Sequence, residues 1–254
     1  MKKVTFLPCL LFFTYGLFFG CQKETFLIGD FDGSIMETNP GISLTFDDNY
    51  FNDWNKMLPI LKEYGAKATF FISSIDPNDT LQQSLILNIV SEGHEIGCHT
   101  MHHVDVVKYL ETHTTEEFLK NEIIPVLQYF RNLSIPCYSF AYPYNSRNSK
   151  TDSILLRYFK KLRCTSKDSD DAFLLHSNQF IVKGMCIDNS SDIKINNIDG
   201  LITKIEKRQS VLITISHKIS YDIGRYTTSP VLIDSLCAKS SREKLKFYTI
   251  SEIY

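Results

Sequence analysis

The sequence predicts an α/β fold of about seven parallel strands joined by crossover helices in a single domain. Three observations predict it. Short β-rich runs alternate with longer amphipathic runs from Gly41 onward. No Gly/Ser-rich linker or shift of composition divides the chain. Its 254 residues, 43% hydrophobic and 22% charged, suffice for one sizeable core. With 11 Gly and 8 Pro, collagen-like, low-complexity and disordered classes are excluded. The alternation alone allows a barrel or an open sheet.

The elements follow in order. Residues 42–46 read as a strand, and 54–64 as a helix with Trp54, Met57, Leu58 and Leu61 on its apolar face. Residues 68–72 are an almost continuous apolar strand. Asp79 caps a helix that carries Leu85, Ile86, Ile89 and Val90 and stops at Gly93. A short strand over 95–99 and a helix over 115–131 come next, the latter opened by Thr115-Glu116-Glu117. Residues 139–142 are a strand, 151–161 a helix and 163–165 a strand. Strands at 180–187 and 211–216 flank a helix at 198–207, and a helix over 231–239 precedes a last strand at 247–250.

Lys2 and Lys3 precede an apolar run over residues 4–20, ended by Cys21 and the polar Gln22-Lys23-Glu24. A positive start, a short apolar run and a small residue before the break describe a secretory signal. The run is short for a membrane span, which needs about 20 residues. Gly20-Cys21 resembles the cleavage site of bacterial lipoproteins, in which that Cys is lipidated and becomes the mature N-terminus; Phe18 and Phe19 depart from the usual lipobox. The expected organisation is a signal over 1–20, a tether over 21–40 and the α/β domain over 41–254. A lipid on Cys21 would then be the only membrane contact, anchoring a monomer at the periplasmic or surface face of the cell envelope.

Loss of residues 1–20 takes Lys2 and Lys3 and moves the net charge from −2 to −4. No positive field is left for a phosphate backbone, so nucleic-acid binding is not expected. Beyond Cys9 and Cys21, the five cysteines at 98, 137, 164, 186 and 237 are odd in number, widely spread and without a C-x-x-C. Buried free thiols are expected, not disulfides or a zinc knuckle.

The chemistry gathers at strand ends, where such folds build their sites. The first strand ends in Asp47-Asp48, and two adjacent carboxylates can share one site only if the chain turns sharply there. The third strand ends at His99, followed by Thr100-Met101-His102-His103. Two imidazoles four apart can close on one ion if the chain turns helically between them, and an added carboxylate gives a facial metal set with open positions. His94 opens the same strand at the opposite end and is expected to be structural. The strand at 211–216 ends in His217.

Together these residues resemble the NodB-type polysaccharide deacetylases, carbohydrate esterase family four. Thr45-Phe46-Asp47-Asp48 matches the family's first motif and His99-Thr100-Met101-His102-His103 its second. Phe140-Ala141-Tyr142-Pro143-Tyr144 is similar to the third and Ile215-Ser216-His217 to the fifth. The resemblance implies a distorted (β/α) barrel holding one divalent metal, zinc or else cobalt or nickel, that hydrolyses N- or O-acetyl groups on a glycan. By position, Asp48, His99 and His103 would bind the metal, Asp47 would be the general base and His217 the general acid. The Tyr144 N–H would help hold the oxyanion. The sequence departs from the family where Ala141 replaces the third motif's Arg, which pairs with the catalytic Asp. Arg163, one strand on, is the expected replacement. The fourth motif is not recognisable, and either Asp188 or Asp192 could stand behind His217. Two other readings compete: a glycan-binding lipoprotein that has lost turnover, and an amide hydrolase acting on a non-carbohydrate substrate.

Overall fold

The computed structural model describes residues 39–166, 168–174, 179–191 and 198–253. It begins β1 (Gly41–Asp48), α1 (Phe51–Glu63), β2 (Ala68–Ile72), α2 (Thr80–Ser91), β3 (Glu95–Cys98) and α3 (Val106–Thr112). Then come α4 (Thr115–Phe118), a π turn (Leu119–Ile123), α5 (Ile124–Asn132), β4 (Ser139–Ala141), α6 (Ser149–Leu155), β5 (Lys161–Thr165), β6 (Phe173–Leu174) and β7 (Ile181–Cys186). The chain ends with α7 (Ile198–Arg208), β8 (Val211–Ser216), β9 (Lys218–Ile219), β10 (Thr227–Thr228), α8 (Pro230–Arg242) and β11 (Lys246–Phe247).

Seven parallel strands close a barrel in the order β1-β2-β3-β4-β5-β7-β8, with β8 pairing back onto β1 from Gly41↔Val211 to Phe46↔Ser216. The barrel form of the expected α/β fold is the one adopted. The strands' composition suits a fully covered sheet, since almost every strand residue is buried and both faces need cover. Alternate side chains divide into two cores. Ile42, Leu44, Phe46, Phe70, Ile72 and Phe140 pack outward against the helices around Trp54. Phe71, Ala141, Val182, Val211 and Ile213 fill the lumen, where Tyr248, Ile250 and Ile253 join them.

Gly97 on β3 makes room for the lumen packing. A Cβ there would meet the Phe71 ring at 2.4 Å and Ser139 Oγ at 2.8 Å. Gly97→Ala should therefore destabilise the fold by about 1–3 kcal/mol, the range for overpacking a filled core. Thermal unfolding checks this, and an unchanged midpoint would show that Phe71 can yield.

Several elements differ from expectation. The long helix over 115–131 is three pieces, because Pro125 has no N–H to return to the preceding turn and its ring crowds that turn's carbonyl. The helix expected over 151–161 ends at Leu155: Lys160 N–H donates to Tyr138 O at 2.7 Å, drawing the chain into β5 beside β4. Residues 104–114, which the sequence assigns to no element, contain α3, whose N-cap Asp105 accepts from Lys108 N–H. The last strand is only β11; beyond it Ile250 N–H donates to Thr69 Oγ1 at 2.9 Å and Ser251 N–H to Glu95 Oε2 at 3.0 Å. That segment closes the barrel at the end where the strands begin.

Candidate active site

At the opposite end, β1 delivers two carboxylates. Asp47 follows the lumen side of the strand, while Asp48 has φ 87°, in the left-handed region that costs a non-glycine residue about 1 kcal/mol or more. This is the sharp turn that adjacent carboxylates require, and both Asp47 and Asp48 line one cavity. The backbone stays tied down, with Ser73 N–H donating to Asp48 O at 3.0 Å.

His99 leaves β3 with its Nδ1 2.8 Å from the carbonyl oxygen of Ala141. A carbonyl only accepts, so Nδ1 carries the proton and Nε2 is left with a lone pair. The chain from His99 to His103 brings the two imidazoles together by a route other than the helical turn that the spacing alone suggested as a condition. Thr100 (φ 61°) and His103 (φ 54°) adopt left-handed backbone, and Val104 N–H donates to Thr100 Oγ1 at 3.1 Å. The reversal brings His103 Nε2 to 3.2 Å and His99 Nε2 to 3.7 Å from Asp48 Oδ1.

These three donors suit a divalent cation. Ligands about 2.1 Å from a tetrahedral zinc stand roughly 3.4 Å apart, close to both separations. Asp48 Oδ1 is buried without a hydrogen-bond partner, a cost that a cation would remove. Burial pushes His99 down to about 4 and so keeps the imidazole neutral. Burial alone would raise Asp48, but His103, His99 and His217 outweigh it and hold the carboxyl below its ordinary value. Among the described residues no other group of three His, Cys, Asp or Glu side chains gathers in this way. His94 lies outside the cavity, accepting from Ala68 N–H at 3.3 Å, a structural role.

Asp47 has a cationic partner. The Arg163 Nη2 donates to Asp47 Oδ2 across the lumen, both side chains nearly inaccessible, and the guanidinium lies over the Phe71 ring at 5.1 Å from its centre. In the β4–β5 register Ala141 sits directly opposite Arg163. The small side chain at 141 leaves lumen space at the level where the neighbouring strand inserts its arginine.

His217 ends β8 in a dense set of contacts. Its Nδ1 is 2.6 Å from Asp188 Oδ2, its N–H donates to Asp188 Oδ1 at 3.3 Å, and its carbonyl accepts from Trp54 Nε1 at 2.8 Å. Asp188, at the end of β7 and almost fully buried, also accepts from Thr228 Oγ1 at 2.7 Å. Burial would lower the His217 pKa, but the Asp188 hydrogen bond and the charges of Asp47, Asp188 and Asp48 raise it overall. Of the two candidates behind His217, Asp188 reaches it; Asp192 lies outside the described residues, as does Cys21.

The cavity between these groups is about 490 Å³ and is also lined by Tyr144, Asn145, Cys186, Ile215 and Tyr226. Tyr144 (φ 56°) and Asn145 (φ 56°) turn the loop after β4, which Asn145 ties down by accepting from Thr165 N–H at 2.7 Å. The Tyr144 ring packs edge-on to His103 and the Tyr226 ring edge-on to His217. Sequence reasoning missed Tyr226 and the support given by Trp54, whose partner His217 lies 163 residues away along the chain. Asp188 had a usable signal, a carboxylate just past an apolar strand.

Residues 36–160 match the family described as Polysaccharide deacetylase. A chitin deacetylase of Arthroderma benhamiae is 30% identical over 137 residues, 53% of this chain and 36% of that protein. A peptidoglycan-N-acetylglucosamine deacetylase of Bacillus cereus is 33% identical over 92 residues, 35% of this chain and 39% of that protein. The chain thus spans well under half the length of either relative. Among solved structures, a family 4 carbohydrate esterase from Streptomyces lividans in complex with acetate superposes with a TM-score of 0.56 at 18% identity, covering 85% of this chain and 95% of that one. Over residues 36–160 the chain is thus similar to the polysaccharide deacetylase family, and its barrel has the fold of the family 4 carbohydrate esterases.

Proposed function

We propose that the chain is a NodB-type deacetylase, a metal-dependent hydrolase that removes N- or O-acetyl groups from a glycan. The observation that carries this reading is the convergence of Asp48, His99 and His103 at one end of the barrel, with the Asp47–Arg163 and His217–Asp188 pairs lining the same cavity. The similarity to chitin and peptidoglycan deacetylases supports the substrate class. Residues 1–20 are proposed as a removed signal and 21–40 as a tether lipidated at Cys21, which puts a monomeric enzyme at the cell envelope.

Asp48, His99 and His103 would hold a divalent cation, zinc in this reading, which when bound would supply Lewis acidity toward the acetyl carbonyl and toward water, lowering the pKa of the latter toward about 7. Asp47, its direction fixed by Arg163, takes the proton from the attacking water. The Tyr144 N–H donates to the oxyanion, a contribution of about 3–4 kcal/mol per donor in well-studied cases. An amine leaves poorly unless protonated, so His217 gives its proton to the leaving nitrogen as the C–N bond breaks. Acetate and the free amino sugar are the products. For an ester, the sugar oxygen receives that proton.

Acetate release from N-acetylglucosamine oligomers and acetylated xylan, with and without a chelator, tests this. Release that stops with chelator and returns with added zinc is expected. Release indifferent to chelator would refute the metal role. Tight glycan binding without acetate would favour the impaired binder, and neither would favour a non-carbohydrate amide.

A further inference from the structure

The π turn at Leu119–Ile123 breaks a helix none of whose residues lines the cavity, and such insertions are frequent at functional sites. It carries Glu122, a carboxylate with only 3% of its surface exposed. Glu122 Oε2 accepts the N–H of His102 at 2.9 Å, and Oε1 lies 2.9 Å from His102 Nδ1. The backbone oxygen of Glu122 accepts the N–H of Met101, also at 2.9 Å. One residue therefore receives two consecutive N–H groups from the segment between His99 and His103. The other backbone ties of that segment run to β2 and its following loop, His99 N–H to Ile72 O at 3.0 Å and Ser74 N–H to Met101 O at 2.8 Å.

We propose that Glu122 is a positioning residue for the metal-binding loop, holding it in the reversed shape that points His103 at Asp48 before any cation arrives. The left-handed backbone at Thr100 and His103 is costly and persists only where its surroundings over-determine it. Glu122 supplies that constraint from outside the ligand set. His102, whose side chain turns away from the cavity to Glu122, gains a role as the contact point of the clamp. The inference rests on the metal reading above and adds a residue that touches neither cation nor substrate.

Zinc affinity of the purified, metal-free protein, measured by competition with a chromophoric chelator, tests it. Glu122→Gln keeps the size of the side chain but replaces one acceptor with a donor. It should weaken zinc binding about tenfold to hundredfold, the range for outer partners of metal ligands. The absorption bands of the cobalt-loaded variant should shift or broaden as the histidine geometry loosens. A folded Glu122→Gln protein with unchanged zinc affinity and cobalt spectrum would overturn the proposal and leave the metal site standing. Failure of the wild type to bind zinc at all would sink both. Should Glu122→Gln not fold, amide hydrogen exchange on the metal-free wild type decides: protection of the Met101 and His102 amides is expected, and free exchange would overturn it.

Discussion

Arg163→Ala should cut the turnover number for acetate release by tenfold or more, about 1.4 kcal/mol of barrier or greater. It should also lower stability by roughly 3–5 kcal/mol, the usual cost of removing one partner of a buried pair. Both effects follow from the position of the guanidinium, which is buried with Asp47 in the lumen. Asp47 then keeps its burial and loses its cation and the donor that sets its direction. The two effects separate by experiment: unfolding reports the uncompensated charge, and kcat on the protein that remains folded reports the misdirected base. A sharper expectation concerns Ala141, opposite Arg163 in the β4–β5 register. Adding Ala141→Arg to Arg163→Ala should return part of both losses, because a guanidinium from β4 would enter the same lumen level. A double variant no better than Arg163→Ala would mean that the pair depends on the β5 backbone in particular. Full activity in Arg163→Ala alone would remove Arg163 from the mechanism.

The strand ends were legible because apolar runs that finish in Asp-Asp, His or Asp are unusual in composition, whatever the fold around them. Residues 68–72 and 211–216 match β2 and β8 end to end, since a strand buried on both faces leaves a continuous apolar signature. Barrel closure was not legible from the alternation, because open and closed parallel sheets need the same strands. The π turn was hidden too: Pro125 marks a disturbance, but how the helix absorbs it depends on Glu122 meeting a loop twenty residues earlier. Trp54 shows the same limit from the other side. Its position reads as ordinary helix core, and only the folded chain brings its indole N–H to the His217 carbonyl. The reversal between His99 and His103 could not be read from the sequence, where a helical turn was only the condition considered, because spacing fixes which residues can meet, and backbone hand is settled by what holds the loop.

Asp188→Asn should reduce turnover by about 10²–10⁴, comparable to losing the carboxylate that orients a catalytic imidazole. Asp188 fixes His217 through both ring and backbone, and an amide in its place can offer Nδ1 a donor where the ring needs an acceptor. The pH profile carries the sign. His217 acts only while protonated, and its pKa in the folded protein stands above the ordinary imidazole value because the Asp188 bond and nearby carboxylates outweigh burial. The alkaline limb of the wild type should therefore fall as pH rises through that raised value, and Asp188→Asn should move it to lower pH. Stability follows the same linkage. A raised folded pKa contributes fully below the unfolded value of about 6.5 and is lost as pH rises through the folded one. The stability gap between wild type and Asp188→Asn should accordingly narrow from acid to alkaline pH. If the alkaline limb stays in place while turnover drops, Asp188 acts on geometry alone and the acid titrating in that limb is a group other than His217.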